Sequence, residues 1–155
     1  MFKSLEGNFD NPKVHELLIK HFVELRAASS EGSAHVLDIP GLKVSSIKFW
    51  SLWQDENLIG CGALKFLDEG HGEFKSIRIH DNFRNKGYGI NVINHLINEA
   101  KILKIKRVSI ETGAGDFFLP ARKLFEKCDF KVCEPFAHYK KDINSVYLTK
   151  IISTY

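Results

Sequence analysis

No stretch of this chain is apolar for long enough to cross a membrane, and none is basic enough to grip a nucleic acid. The formal net charge is only +3, and the basic clusters at Lys101–Arg107 and Lys140-Lys141 read as solvated surface. Neither a nucleic-acid nor a membrane partner is expected. No signal-peptide pattern opens the sequence, so the expected compartment is cytoplasmic. Cysteine is scarce: Cys61, Cys128 and Cys133 have no metal-ligand spacing and are odd in number. Reduced thiols and no metal are the resulting expectations. Internal repeats and low-complexity tracts are absent. What remains is 155 residues, 44% hydrophobic and 26% charged, which suits one domain over 1–155 with a proper core rather than a disordered chain.

The pattern is richest around Glu73–Ile79, an apolar-alternating strand that runs into His80–Phe83 and then Arg84-Asn85-Lys86-Gly87-Tyr88-Gly89. After this turn, Ile90, Ile93, Leu96, Ile97, Ala100 and Leu103 keep the spacing of one buried helical face. A basic, glycine-containing loop therefore sits at a helix N-terminus just past a strand end. Unpaired backbone N–H groups and the positive end of the helix dipole gather there, and together they bind phosphate. Gly87 and Gly89 permit close approach and are candidates for positive φ. The loop is not a P-loop, since no Gly-Lys-Ser/Thr follows, and the third glycine of a dinucleotide fingerprint is missing.

Along the rest of the chain, Met1–Leu5 reads as a strand, Asn8–Pro12 as a turn with Asp10 or Asn11 as helix cap, and Lys13–Arg26 as a helix. Ser29–Ser33 breaks that helix, and His35–Leu42 is short and helical or irregular, interrupted by Pro40-Gly41. Ile47–Gln54 and Leu58–Leu67 form a hairpin through Asp55-Glu56-Asn57, and Asp68–Gly72 turns into the central strand. Strand Arg107–Thr112, helix Leu119–Lys127, and strands Lys131–Glu134 and Ser145–Ile152 complete the order. This gives an α/β (α+β) chain with a mixed sheet and helices on both faces.

Arg-x-x-Gly-x-Gly after such a strand resembles the acetyl-CoA loop of the GNAT superfamily of N-acetyltransferases. The likeness extends from Ile47 to Leu148. His35, Asp38, Gly41-Leu42, Phe49-Trp50, Gly60–Leu64, Lys75-Ser76, Arg78 and Glu111–Gly113 resemble a bacterial branch of small acetyltransferases. The resemblance implies a mostly antiparallel, twisted sheet of six to seven strands whose fourth and fifth members splay apart where acetyl-CoA enters. It implies that the loop residues Arg84, Asn85, Lys86, Gly87, Tyr88 and Gly89 hold the pyrophosphate. Main chain at Ile77 and Ile79, with Arg78 between them, would pair with pantetheine, and Phe118 and Phe125 would flank the cofactor. Acyl-CoA enzymes of this size commonly pair through sheet edges, so a homodimer is compatible with it.

Acetyl transfer to an amine needs that amine neutral, and free amines with a pKa of about 10 are mostly protonated at neutral pH. Glu73 stands where several family members place a catalytic carboxylate and is the first candidate base; its plainer role is partner to Lys75 or Arg78. Glu111, at the end of the next strand, is the second, with fixing the Gly113–Gly115 turn as its plainer role. His71 and His80 are remoter choices. The family's leaving-group tyrosine is replaced by Phe125 in Ala121-Arg122-Lys123-Leu124-Phe125-Glu126-Lys127, and Phe118 stands where an asparagine is common. Tyr139 is the candidate substitute acid. For the acceptor, His35, Trp50, Lys75 and Tyr139 are candidates, with Phe136 nearby. Lys75 and Arg78 would clasp a carboxylate together only if a bulge put them on one strand face. The expected reaction is acetyl transfer to a small or amino-acid-like amine in a ternary complex. A protein N-terminus or lysine as acceptor, and a non-catalytic acyl-CoA-binding module, are the alternatives.

Overall fold

The computed structural model describes residues 2–29, 35–68 and 70–152. Strand β1 (Phe2–Glu6) leads to helix α1 (Pro12–Ala28), the one-turn helix α2 (Ile39–Leu42), and the meander β2 (Ile47–Gln54), β3 (Asn57–Asp68) and β4 (His71–Ile79). A 3₁₀ turn at Asp81–Phe83 precedes α3 (Tyr88–Ile102), followed by β5 (Arg107–Gly113), α4 (Leu119–Lys127), β6 (Lys131–Val132) and β7 (Ser145–Ile151).

Local chemistry explains the boundaries. Of the two candidate caps for α1, Asn11 serves: its Oδ1 accepts from the N–H of Lys13 at 2.9 Å and of Val14 at 3.4 Å, and Pro12 takes the first turn. The polar break begins at Ser29, the C-cap of α1, and 30–33 lie outside the described residues. Pro40 does not interrupt α2 but sits in its first turn, with Asp38 Oδ1 capping Gly41 N–H at 2.9 Å. The β2–β3 turn is two residues, Asp55-Glu56, because Asn57 already pairs with Gln54; Asp55 takes φ 54°. The expected strand Lys131–Glu134 is shorter, ending at Val132, and an irregular connection carries the chain on to β7.

The sheet runs β1-β2-β3-β4-β5-β7-β6, antiparallel at every neighbour except β4–β5. Helix α1 and α2 cover one face, packing Val14, Leu17, Leu18 and Leu42 on Phe49, Cys61 and Ala63. Helices α3 and α4 cover the other, where Ile93, Leu96, Ala100 and Phe125 meet Trp50, Leu64 and Phe74. The apolar stripe of α3 differs from the expected one at its start: Val92 is buried, whereas Ile90 is 41% exposed and lines the cleft between β4, β5 and α3.

Two irregularities in β4 set the shape of that cleft. Its parallel pairing with β5 covers only His71↔Arg107, Gly72↔Val108 and Glu73↔Ser109, after which both strands continue without pairing each other. Against β3, Cys61 pairs with Arg78 and Ala63 with Lys75, so β4 carries one extra residue between them. Ser76 occupies the extra position with φ 54°. The bulge resets the alternation of side chains. Phe74, Ile77 and Ile79 join the α3–α4 core, while Arg78 reaches Glu24 of α1. Lys75 and Arg78, three apart in sequence, thus share the α1 face.

A serine at positive φ is strained, and a β-branched residue there more so. Ser76→Val is expected to lower stability by about 1–3 kcal/mol in urea unfolding, whereas Ser76→Gly holds or raises it. Equal stability of the two variants would contradict the bulge.

Candidate active site

Where β4 and β5 part, a cavity of about 960 Å³ opens between the strands, α1, the start of α3 and α4. One wall is the free edge of β4. His80 N–H bonds Ile59 O at 2.7 Å, and backbone groups alternate along a strand, so Ile77 and Ile79 turn theirs toward the open side. The expected splay and the expected main-chain edge are both present.

The floor at one end is the loop 84–89. Asn85 and Gly87 have φ 60° and 86°, and Gly87 caps α3 with no side-chain hydrogen bond to its first-turn amides. Those amides lack a side-chain cap and lie at the positive end of the helix dipole. Gly89 does not contribute positive φ: it lies inside α3, where a Cβ would come within 2.6 Å of Leu124 Cδ2 on α4, so its role is close helix packing. Arg84 is tied back, its Nε donating to Ile79 O at 3.2 Å and its Nη2 3.2 Å from Asp81 Oδ1. Lys86 Nζ lies 5.9 Å from the Phe83 ring centroid, and the Tyr88 hydroxyl donates to Gln54 Oε1 at 3.0 Å. Phe118, which packs against Gly113, and the buried Phe125, edge-on to Phe130 at 5.5 Å, form the wall opposite.

At the other end Glu73 is 2% exposed. Its Oε2 accepts from the Tyr139 hydroxyl at 2.5 Å and from Lys75 Nζ at 3.2 Å, and Lys75 Nζ also donates to Tyr139 at 3.0 Å. Burial and the Glu73 carboxylate push the Tyr139 phenol far up, so it stays protonated and donates to Glu73. That hydroxyl is engaged with the carboxylate, which suits it to positioning Glu73 better than to supplying a proton elsewhere. His35 packs edge-on against Tyr139 with ring centroids 5.0 Å apart. Glu111 Oε2 accepts from Ser145 Oγ at 2.8 Å. Burial raises its pKa above the usual carboxylate value, against the pull of Ser145, His35 and Lys75. Glu73, Glu111, Lys75, Tyr139 and His35 are thus brought together.

Trp50 is not with them. It is 3% exposed on the opposite sheet face, beneath α3 and edge-on to His95, because its strand position faces the α3–α4 core. His71 bonds Ser109 at the closed end of the β4–β5 pair, within reach of the Glu73 charge, and His80 accepts from Asn82 N–H; neither is among the residues lining the cleft. Arg78 lines the cleft with Ile77 and Ile79, and its guanidinium turns toward α1, 2.5 Å from Glu24 Oε2 and 3.4 Å from Asp81 Oδ1.

The residue missed in the sequence is His21. It lies on the buried stripe of α1 with Leu17 and Leu18, is 5% exposed and lines the cavity. Burial first, then Arg78 and Arg84, lower its pKa from 6.5 to about 3. A histidine where the helical period calls for an apolar residue was the available signal. Among the described residues, no cluster of histidine, cysteine and carboxylates is arranged to hold a metal, and no helix is long and apolar enough to cross a membrane. The three cysteines are free thiols.

Residues 12–130 match the model of the acetyltransferase (GNAT) family. The chain is 44% identical over 138 residues to an uncharacterized N-acetyltransferase of Bacillus subtilis, YsnE, covering 89% of this chain and 91% of that one. It is 36% identical over 149 residues to an uncharacterized N-acetyltransferase of Escherichia coli, YedL, covering 96% and 94%. In fold it is similar to a Bacillus subtilis acetyltransferase crystallised in complex with CoA, with a TM-score of 0.72 at 20% identity over 99% of this chain and 100% of that one. The chain belongs to the GNAT family and is an acetyl-CoA-dependent N-acetyltransferase.

Two outcomes test this geometry. Arg84→Glu is expected to weaken CoA binding at least tenfold by calorimetry, about 1.4 kcal/mol, with the thermal midpoint unchanged; equal affinity would contradict the loop assignment. The His21 pKa lies below its unfolded value, so stability is present above about pH 6.5 and is lost as pH falls toward about 3. Between pH 7.5 and 5 this one group is expected to remove about 2 kcal/mol, a loss absent in His21→Gln when urea unfolding is compared at the two pH values.

Proposed function

We propose that the enzyme acetylates the primary amine of a small or amino-acid-like acceptor by direct attack in a ternary complex. The observation that carries this reading is the convergence on one cleft of a free strand edge, an uncapped helix N-terminus and the buried Glu73–Lys75–Tyr139 cluster. On this reading the whole chain, 1–155, is one acetyltransferase domain.

The cleft suits acetyl-CoA by its own chemistry. First-turn amides of α3 and Gly87 match a diphosphate. The outward main chain of Ile77 and Ile79 matches the amides of pantetheine, and Phe118 and Phe125 offer apolar contact. When bound, acetyl-CoA supplies an activated thioester. The rest of the work belongs to the chain. An N–H on the open edge of β4 not taken up by pantetheine would polarise the acyl carbonyl of bound acetyl-CoA. Glu73 takes the proton from the acceptor amine through Oε1, since Oε2 is held by both Tyr139 and Lys75. Tyr139 and Lys75 fix the carboxylate, and closure of the cleft by α1 limits water. Phe125 is hydrocarbon and buried, so no protein hydroxyl at that position gives a proton to the departing sulfur, and solvent takes that role. Glu111 stands by as a second carboxylate facing the acceptor.

Glu73→Gln keeps the hydrogen bonds of Oε2 approximately and removes the base. It is expected to lower kcat by ~10²–10⁴ at neutral pH with CoA affinity unchanged, read as CoA-thiol release with a panel of small amines and amino acids. Turnover equal to the parent enzyme would make Glu73 structural.

A further inference from the structure

Buried polar atoms without partners are rare in native proteins, and each calls for an explanation. Among the described residues, besides His95 Nε2 on the Trp50 side of the sheet, both ring nitrogens of His21, the Ser76 hydroxyl and Arg78 Nε are buried and have no hydrogen-bond partner. His21, Ser76 and Arg78 all line the cleft. They are also neighbours: His21 and Glu24 lie one turn apart on α1, Glu24 bonds Arg78, and Ser76 is the bulge residue two positions before Arg78 on β4. His21 and Arg78 are 5% and 4% exposed, so bulk water reaches neither.

What these groups offer is mostly donors. Arg78 keeps its charge, and while Nη2 is occupied by Glu24 and Asp81, the Nε–H points to no acceptor. Ser76 carries a free O–H. His21 is neutral, so one ring nitrogen donates and the other accepts. Around them the cations Lys20, Arg78 and Arg84 face only the carboxylates Glu24 and Asp81. With Arg84 given to the CoA loop, Lys20 and Arg78 balance Glu24 and Asp81, so what suits a carboxylate here is the set of uncommitted donors, Arg78 Nε–H, the Ser76 hydroxyl and one His21 N–H. At the far end of the same strand face stand carboxylates instead, with Glu73 and Glu111 suited to an amine. The bulge makes this possible, because without it Arg78 would turn to the other face of the sheet.

We infer that the acceptor is an amine that also carries a carboxylate at the other end of an extended chain, an ω-amino acid or a lysine-like side-chain amine, with its carboxylate held by Arg78 Nε, Ser76 Oγ and His21 while its amine faces Glu73, three to five residues away along β4. This rests on the acetyl-transfer reading and names the acceptor class. His21 is then a specificity-determining residue: its neutral ring closes the carboxylate site from the α1 side.

The test pairs long-chain ω-amino acids, and lysine through its side-chain amine, with their carboxamides, which differ only in replacing the carboxylate by an uncharged group. Initial rates with acetyl-CoA are expected to favour the acids at least thirtyfold in kcat/KM, mainly through KM. His21→Phe and Ser76→Gly each reduce that preference to within about threefold, and His21→Gln, which retains a donor and an acceptor, keeps part of it. Amides used as well as acids, or a preference that survives both His21→Phe and Ser76→Gly, would overturn the inference. Calorimetry of the same pairs into the CoA-bound enzyme separates the two readings. Heat for the acids and none for the amides supports the carboxylate site even if no amine is acetylated, in which case acetyl transfer to small amines fails alone. No heat for any acid overturns the carboxylate site.

Discussion

The cleft exists because β4 keeps one neighbour and gives up the other. Its pairing with β3 runs to Ile79, but its pairing with β5 stops at Glu73↔Ser109. A bulge bends the strand that carries it and increases the local twist, and Ser76 lies just past that last pair. Meanwhile β5 stays aligned with β7 as far as Gly113↔Ser145. The two strands are therefore drawn apart by their outer partners. Backbone groups that a continuous sheet would consume are left facing a cavity, where a ligand can satisfy them.

The same irregularity sorts the side chains. Before the bulge, Phe74 faces the α3–α4 core and Glu73 and Lys75 face α1; after it, Ile77 and Ile79 hold the core face and Arg78 stays with α1. The α1 side of β4 becomes a polar line in an otherwise apolar sandwich. Its members are secured differently. Glu73, Lys75 and Tyr139 satisfy one another, whereas the ring nitrogens of His21, the Ser76 hydroxyl and Arg78 Nε, on residues that line the cavity, are buried without partners. A closed hydrogen-bond cluster fixes geometry, and an open one awaits a ligand.

Much of this was legible in the residues. Helix α4 spans Leu119–Lys127 as its first-turn proline and apolar spacing indicated, and the strand, loop and helix around Glu73–Gly89 follow in the expected order. The faces of β4 were not legible, because Lys75-Ser76-Ile77-Arg78 contains no glycine or asparagine to mark a residue at positive φ. Trp50 was misplaced for a related reason: a strand buried on both faces gives no alternation to say which side an aromatic takes. The bond from Tyr139 to Glu73 joins residues 66 apart, and only the folded connection between β6 and β7 brings them together. Gly89 looked like a loop glycine, yet its reason is Leu124, a contact between helices far apart in sequence.

Everything rests on the unpaired edge of β4 being the surface that receives coenzyme A. Hydrogen exchange of individual backbone amides, with and without saturating CoA, reads that edge directly. The N–H groups of Ile77 and Ile79 should exchange at least tenfold more slowly in the complex, while amides already bonded within the β5–β7 ladder change little. Unchanged exchange at both isoleucines, with CoA demonstrably bound, would contradict it.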